Sequence, residues 1–121
     1  MGVHRILVVF NKSPYGSASI VEGIRLATGV TVADIESVVL FMDDGVFALM
    51  ENQHSSSLGL LPIGGSLEYL IDNGVQINVL KDSLVSRGIS VNNLLKLNNM
   101  KIISLTELGT LLLQFDVIFS I

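Results

Sequence analysis

The apolar residues of this chain fall into short runs, separated by polar and glycine-rich breaks. His4 to Phe10 (HRILVVF) is continuous, β-branched and without alternation, the pattern of a strand buried on both faces. Asn11 to Gly16 interrupts it. Pro14 disfavours helix at Ser13, and Gly16 permits an unusual backbone angle. Ser17 or Ser19 can then cap a helix, with Ser19 and Glu22 at capping-box spacing. Ile20, Ile24 and Ala27 share one helical face with Val21 beside them, and Gly29 is the expected stop. A second strand, residues 36–42 (ESVVLFM), ends in the turn Asp43-Asp44-Gly45. A short helix over 46–51 and a polar surface loop over 52–59 follow. Gly64-Gly65 precedes a helix over 66–71 that stops near Asn73-Gly74. Residues 75–80 form a third strand, 82–87 a helix ending at Gly88, and 91–97 a further short helix. A short fourth strand over 101–104 leads into a second capping box, Ser104 with Glu107. That box opens a helix through Leu113, with Leu105, Leu108 and Leu112 on one stripe. Asp116 to Ile121 (DVIFSI) is the fifth strand, apolar enough to need a place in the sheet or in an interface.

Strands alternating with helices predict a single α/β domain over residues 1–121. It is a three-layer α/β/α sandwich around a mainly parallel five-stranded sheet, flavodoxin-like in general architecture, with right-handed crossovers and the strand order left open. Ligands of such sheets gather at the carboxyl ends of the strands. The stretch from Ile6 to Ser17, strand into crest loop into helix, is therefore the first place to look for chemistry.

Composition sharpens this picture mainly by exclusion. Half of the 121 residues are hydrophobic and only 15% are charged, which fits either a sheet buried on both faces or a subunit interface. The net charge of −4, with seven scattered Lys and Arg residues, argues against a nucleic-acid partner. No apolar run approaches the ~18 residues of a membrane span. The first residues, Met-Gly-Val-His-Arg, carry no cleavage signal, so a cytoplasmic protein without a membrane partner is expected. The chain has no cysteine. That excludes disulfides, thiolate metal sites, cysteine nucleophiles and a persulfide carried on these residues. With only His4 and His54, no metal and no cofactor is expected, and no catalytic constellation is recognisable.

The candidate ligand set is Lys12, Ser13, Tyr15, Gly16, Ser17, Asp43 and Asp44. Lys12 supplies a cation, the serines supply hydroxyls, and the first N–H groups of the following helix point to the same place, as an anion or nucleotide site requires. The loop is neither a Walker loop nor GxGxxG, and a capped helix with a solvated lysine explains it equally. Asp43 and Asp44 can hold a metal or act as acid and base, or one of them can simply be an N-cap. His54 beside Ser55, Ser56 and Ser57 lacks a nucleophile elbow. Gly64-Gly65-Ser66 is explained by a tight turn.

Taken in order, the landmarks resemble a known family. Lys12-Ser-Pro-Tyr-Gly-Ser17 after the first strand is similar to the S-P-Y-G entry of the DsrE/DsrF-like sulfur relay proteins, and most closely the DsrF/TusC branch. Asp43-Asp44-Gly45-Val46 resembles the family's D-G-V step, Ser83 to Ile89 its S-L-R-x-R-G-L segment, and Phe115-Asp-Val-Ile118 its Y-D-V-I. The resemblance implies a small α/β/α domain that forms homo-oligomers, or hetero-oligomers with a cysteine-bearing DsrE-like paralogue. It also implies that the position carrying the persulfide cysteine in active subunits is occupied here by Leu80. A non-catalytic partner subunit is the expectation, with a small anion or nucleotide binding module as the alternative.

Overall fold

A computed structural model describes residues 2, 4–14, 19–50 and 63–121. Five strands, β1 (Arg5–Phe10), β2 (Glu36–Phe41), β3 (Gln76–Leu80), β4 (Met100–Ile103) and β5 (Val117–Ser120), form one sheet in the order β4-β3-β2-β1-β5. Every pairing is parallel. The helices are α1 (Ser19–Val32), α2 (Ile63–Asp72), α3 (Lys81–Ser86) and α4 (Leu105–Leu112). From β1 to β4 each crossover steps one place in the same direction. The last step, β4 to β5, runs back across the sheet to the far side of β1. Direction and covered face reverse together, so one crossover hand serves throughout, as twist demands.

The core divides accordingly. On one face Ile6, Val8, Phe10, Val39, Phe41, Ile77 and Val79 pack against α1 and α2 through Ile20, Ala27, Leu67 and Leu70. On the other, Leu7, Val9, Val38, Leu40, Leu80 and Ile103 meet, among the described residues, Leu108 and Leu111 of α4 with Met42 and Phe115. The run from Ile6 to Phe10 is buried throughout, as its lack of alternation predicts.

Several local expectations need correction. Gly29 does not stop α1, which continues to Val32. Asp34 ends it instead, at a left-handed φ of 66°, while the Ile35 N–H donates to Val30 O at 2.9 Å. The segment after β2 is a 3-10 helix over Asp43–Leu49, begun earlier than predicted, and its N-cap is Met42 with no side-chain cap bond, so neither aspartate serves as a cap. Gly64 and Gly65 lie within α2 rather than before it. Residues 91–97 hold only a 3-10 turn at Val91–Asn93. Leu94 then bridges to Met50 and the Leu95 N–H donates to Leu49 O at 2.7 Å, so the segment is a strap over the 3-10 helix. On α4 the packed pair is Leu108 and Leu111, whereas Leu105 and Leu112 are exposed. The Ser104–Glu107 capping box forms as read, with both reciprocal hydrogen bonds. The polar loop predicted over 52–59, with His54 and its serines, lies outside the described residues.

The start of β5 is fixed by one carboxylate. Asp116 Oδ2 accepts the backbone N–H groups of His4 (2.9 Å) and Arg5 (2.8 Å). Arg5 in turn pairs with Glu36, donates to Gln114 O and lies over the Phe115 ring. The two backbone donors hold the Asp116 carboxyl below the usual aspartate range. A depressed folded-state value contributes stability above the unfolded value, near pH 4 for aspartate, and loses it as pH falls through the folded value. Asp116→Asn is therefore expected to lower the neutral-pH Tm and to flatten the loss of stability below about pH 4. Acid-unfolding curves of the two proteins that differ only by a constant offset would count against this staple.

Candidate functional site

The crest at the carboxyl ends of the strands carries most of the predicted site. β1 and β2 end in register, Phe10 opposite Phe41, so Lys12 and Asp43 each lie two residues beyond a paired strand end. Lys12 is exposed and Ser13 half-buried. Among the described residues Lys12 forms no ion pair. Tyr15, Gly16 and Ser17 lie outside the described residues.

The aspartates are engaged elsewhere. Asp43 adopts φ 49°, and its N–H donates to Ser83 Oγ at 2.8 Å. Asp44 Oδ1 accepts from Arg87 Nε at 3.0 Å. The same guanidinium also donates to Ser83 O (3.3 Å) and Ser86 Oγ (3.0 Å). The two aspartates therefore dock the 3-10 helix onto α3, Asp43 through its backbone N–H and Asp44 through its carboxylate. Among the described residues no group of three or more His, Cys, Asp or Glu side chains could hold a metal ion.

Gly45 has a different duty. A Cβ built there would overlap the carbonyl of Phe10, whose carbon lies 2.6 Å away and whose neighbour Asn11 N lies at 3.2 Å. The 3-10 helix therefore sits directly on the end of β1, held by the Met42 N–H on Phe10 O at 3.0 Å. The crevice position of an open α/β sheet, where the connections of neighbouring strands leave to opposite faces, falls between β3 and β4; at the crest end of β1 lies instead its pairing with β5. There Asn11 Nδ2 donates to Ser120 Oγ at 3.1 Å, and Asn11 Oδ1 is buried without a partner.

Leu80 closes β3 and precedes the first turn of α3. Its side chain is 4% exposed and packs into the α4-side core. A thiol at a strand-to-helix step of this kind would be activated by the helix N-terminus; a buried leucine has no such chemistry. Around this step, Val85 and Leu105 are exposed apolar residues beside a shallow depression lined by Lys81, Asp82, Val85, Ser86 and Ser104.

Two features escape a reading of the sequence. Of nine exposed large apolar side chains among the described residues, five lie between Leu105 and Phe119, including Leu113 at 88%. Ile118 and Phe119 are exposed on β5, whose single strand partner among the described residues is β1. The second feature is a cleft of about 310 Å³ between α4 and the β3–β4 edge, with Gln76, Asn78, Lys101 and Gln114 in its lining. Its signal in the sequence is the pair of polar residues at alternate positions of β3, Gln76 and Asn78, in an otherwise apolar strand.

An all-parallel five-stranded sheet whose last strand returns beyond the first, with a 3-10 helix seated on the end of β1, defines the class of this protein. A family model for the DsrE/DsrF-like family matches residues 4–121, and the chain belongs to that family. It is 26% identical to the intracellular sulfur oxidation protein DsrF of Allochromatium vinosum, over 98% of this chain and 96% of that protein. The crystal structure of the ychN protein from E. coli superposes with a TM-score of 0.82 at 28% identity, covering 98% of this chain and 99% of that one. A protein of unknown function from Methanobacterium thermoautotrophicum, MTH1491, shares the fold at a TM-score of 0.64 and 17% identity, over 92% and 90% of the two chains. No helix among the described residues is long and apolar enough to cross a membrane.

Proposed function

We propose that this chain is a non-catalytic subunit of a DsrE/F-like sulfur relay assembly, binding a cysteine-bearing paralogue that carries the sulfur. The observation that carries this reading is the apolar surface of α4 and β5, presented by a chain without cysteine. A monomer rarely leaves such surface to water, and an apolar edge strand in particular invites pairing. The similarity to a protein named for intracellular sulfur oxidation supports the process. Leu80 at the end of β3 supports the division of labour, because a leucine cannot hold a persulfide.

The test is native mass spectrometry of the complex recovered from the source organism with this chain as bait, repeated with Leu113→Arg and Ile118→Arg. The expected result is a mixed assembly containing a cysteine-bearing DsrE-like subunit, dissociated by the two surface charges. Recovery of a monomer alone would overturn the reading. The search would then move to small anions at Lys12 and Asn11, at the crest end of β1.

A further inference from the structure

The α4 face of the sheet is apolar where it is buried, except at one position. Asn78 pairs with Leu40 of β2 on one side and with Lys101 of β4 on the other. It is 2% exposed, and its amide Nδ2 has no hydrogen-bond partner. A buried amide donor left unpaired is costly and uncommon, and a leucine here would simply continue the apolar face. Asn78 is one of the residues lining the cleft of about 310 Å³, a size at the lower end of small-molecule sites.

The lining offers further donors beside Asn78. Gln76, Thr106 and Gln114 line it together with Lys101, and Ile103 and Leu111 add an apolar wall. Gln114 Oε1 already accepts from Arg5 Nη1 at 3.3 Å, which leaves its amide nitrogen as the unused end. The one carboxylate, Glu107, is already engaged. Its Oε1 accepts the Ser104 N–H at 3.1 Å, and its Oε2 lies 3.5 Å from Lys101 Nζ. The Ser104 donor also holds the Glu107 carboxyl below its ordinary range, so it stays charged and committed to the cap. An ammonium has three donors, and at 3.5 Å only one of them is loosely used.

We propose that this cleft binds a short organic carboxylate, with one oxygen accepting from Asn78 Nδ2, Lys101 balancing the charge, and the carbon chain lying on Ile103 and Leu111. The proposal rests on the buried amide and not on the partner-binding reading. An inorganic oxyanion shares the charge but has nothing to place on the apolar wall, which makes it the control.

The experiment uses the full chain in the oligomeric state it adopts, labelled with nitrogen-15, and titrates it with butyrate and separately with sulfate at matched ionic strength. The side-chain NH₂ signals of Asn78 are identified by their loss in Asn78→Leu. Butyrate is expected to shift them saturably, with at least tenfold tighter binding than sulfate. Lys101→Met, an exposed change that leaves the fold intact, is expected to weaken butyrate at least tenfold. Asn78→Leu is expected to abolish binding while leaving Tm unchanged or raised. Non-saturating shifts, an equal response to sulfate, or undiminished binding by Lys101→Met would overturn the proposal. So would an Asn78 NH₂ already protected from solvent exchange without butyrate, since a neighbouring subunit or the fold itself would then be its partner.

Discussion

Gly45→Ala is expected to destabilise the protein by about 3 kcal/mol, the upper end of what overpacking costs when backbone must move. The neighbour that a methyl group would meet is not a flexible side chain but the peptide between Phe10 and Asn11. That peptide cannot yield freely. The Phe10 carbonyl accepts from Met42, and β1 is held between β2 and β5. Relief requires lifting the 3-10 helix, and with it buried Val46, Ala48 and Leu49. For a domain whose total stability is typically about 5–15 kcal/mol, this is a large share. It corresponds to a fall in Tm of about 12 °C at this chain length. Gly109→Ala is the matched control. It lies in α4 with no atom within 4 Å of the added Cβ, and is expected to stabilise by about 0.5–1 kcal/mol through helix propensity alone. Thermal denaturation of both variants decides the matter. A Gly45→Ala protein melting within about 2 °C of the parent would mean that the 3-10 helix is not seated on the strand.

Gly45 also shows what sequence reasoning can and cannot reach. Asp43-Asp44-Gly45 was legible as a turn, because strand ends and glycines are local signals. Its close approach to Phe10 was not, because it depends on β1 and β2 being neighbours that end in register. The Asp44–Arg87 pair was hidden for the same reason: its members are 43 residues apart, and only the packing of α3 on the 3-10 helix joins them. Patterns that depend on one segment survived. The unalternating run from Ile6 to Phe10 is buried on both faces, and Ser104 with Glu107 forms its box. Gly29 misled because a glycine in an exposed helix turn is tolerated, while Asp34, which tolerates the left-handed region less readily, was left to end the helix. The stripe on α4 was misread because helical periodicity marks a face, and Leu105 and Leu112 fall beyond the part of that face which the sheet covers. The candidate site followed the same rule. Lys12 and the two aspartates follow strand ends that lie in register, whereas their partners, and the cleft under α4, arise from strand order.

The largest single loss is expected at Phe10. Its ring is 2% exposed and stacks on Phe41, with centroids 4.8 Å apart and planes 13° from parallel. On its other side it fills the hollow left by Gly23, where a Cβ would overlap the ring edge. Phe10→Ala therefore removes a buried aromatic from between two fixed walls and is expected to cost about 4 kcal/mol. Gly23→Ala alone is expected to cost about 2 kcal/mol, because Phe41 prevents the ring from moving aside. Combining Gly23→Ala with Phe10→Leu tests the contact itself. The shorter side chain makes room for the new methyl group, so the double variant is expected to be more stable than the sum of the two single losses by about 1–2 kcal/mol. Urea unfolding of the four proteins, with equal m-values as the condition for comparison, measures this coupling directly. Strict additivity would show that the ring does not rest on Gly23. Coupling of the expected sign would establish Phe10 as the joint on which α1, β1 and the crest are assembled, and would explain why a glycine stands in the middle of a helix that otherwise buries Ile20 and Ala27.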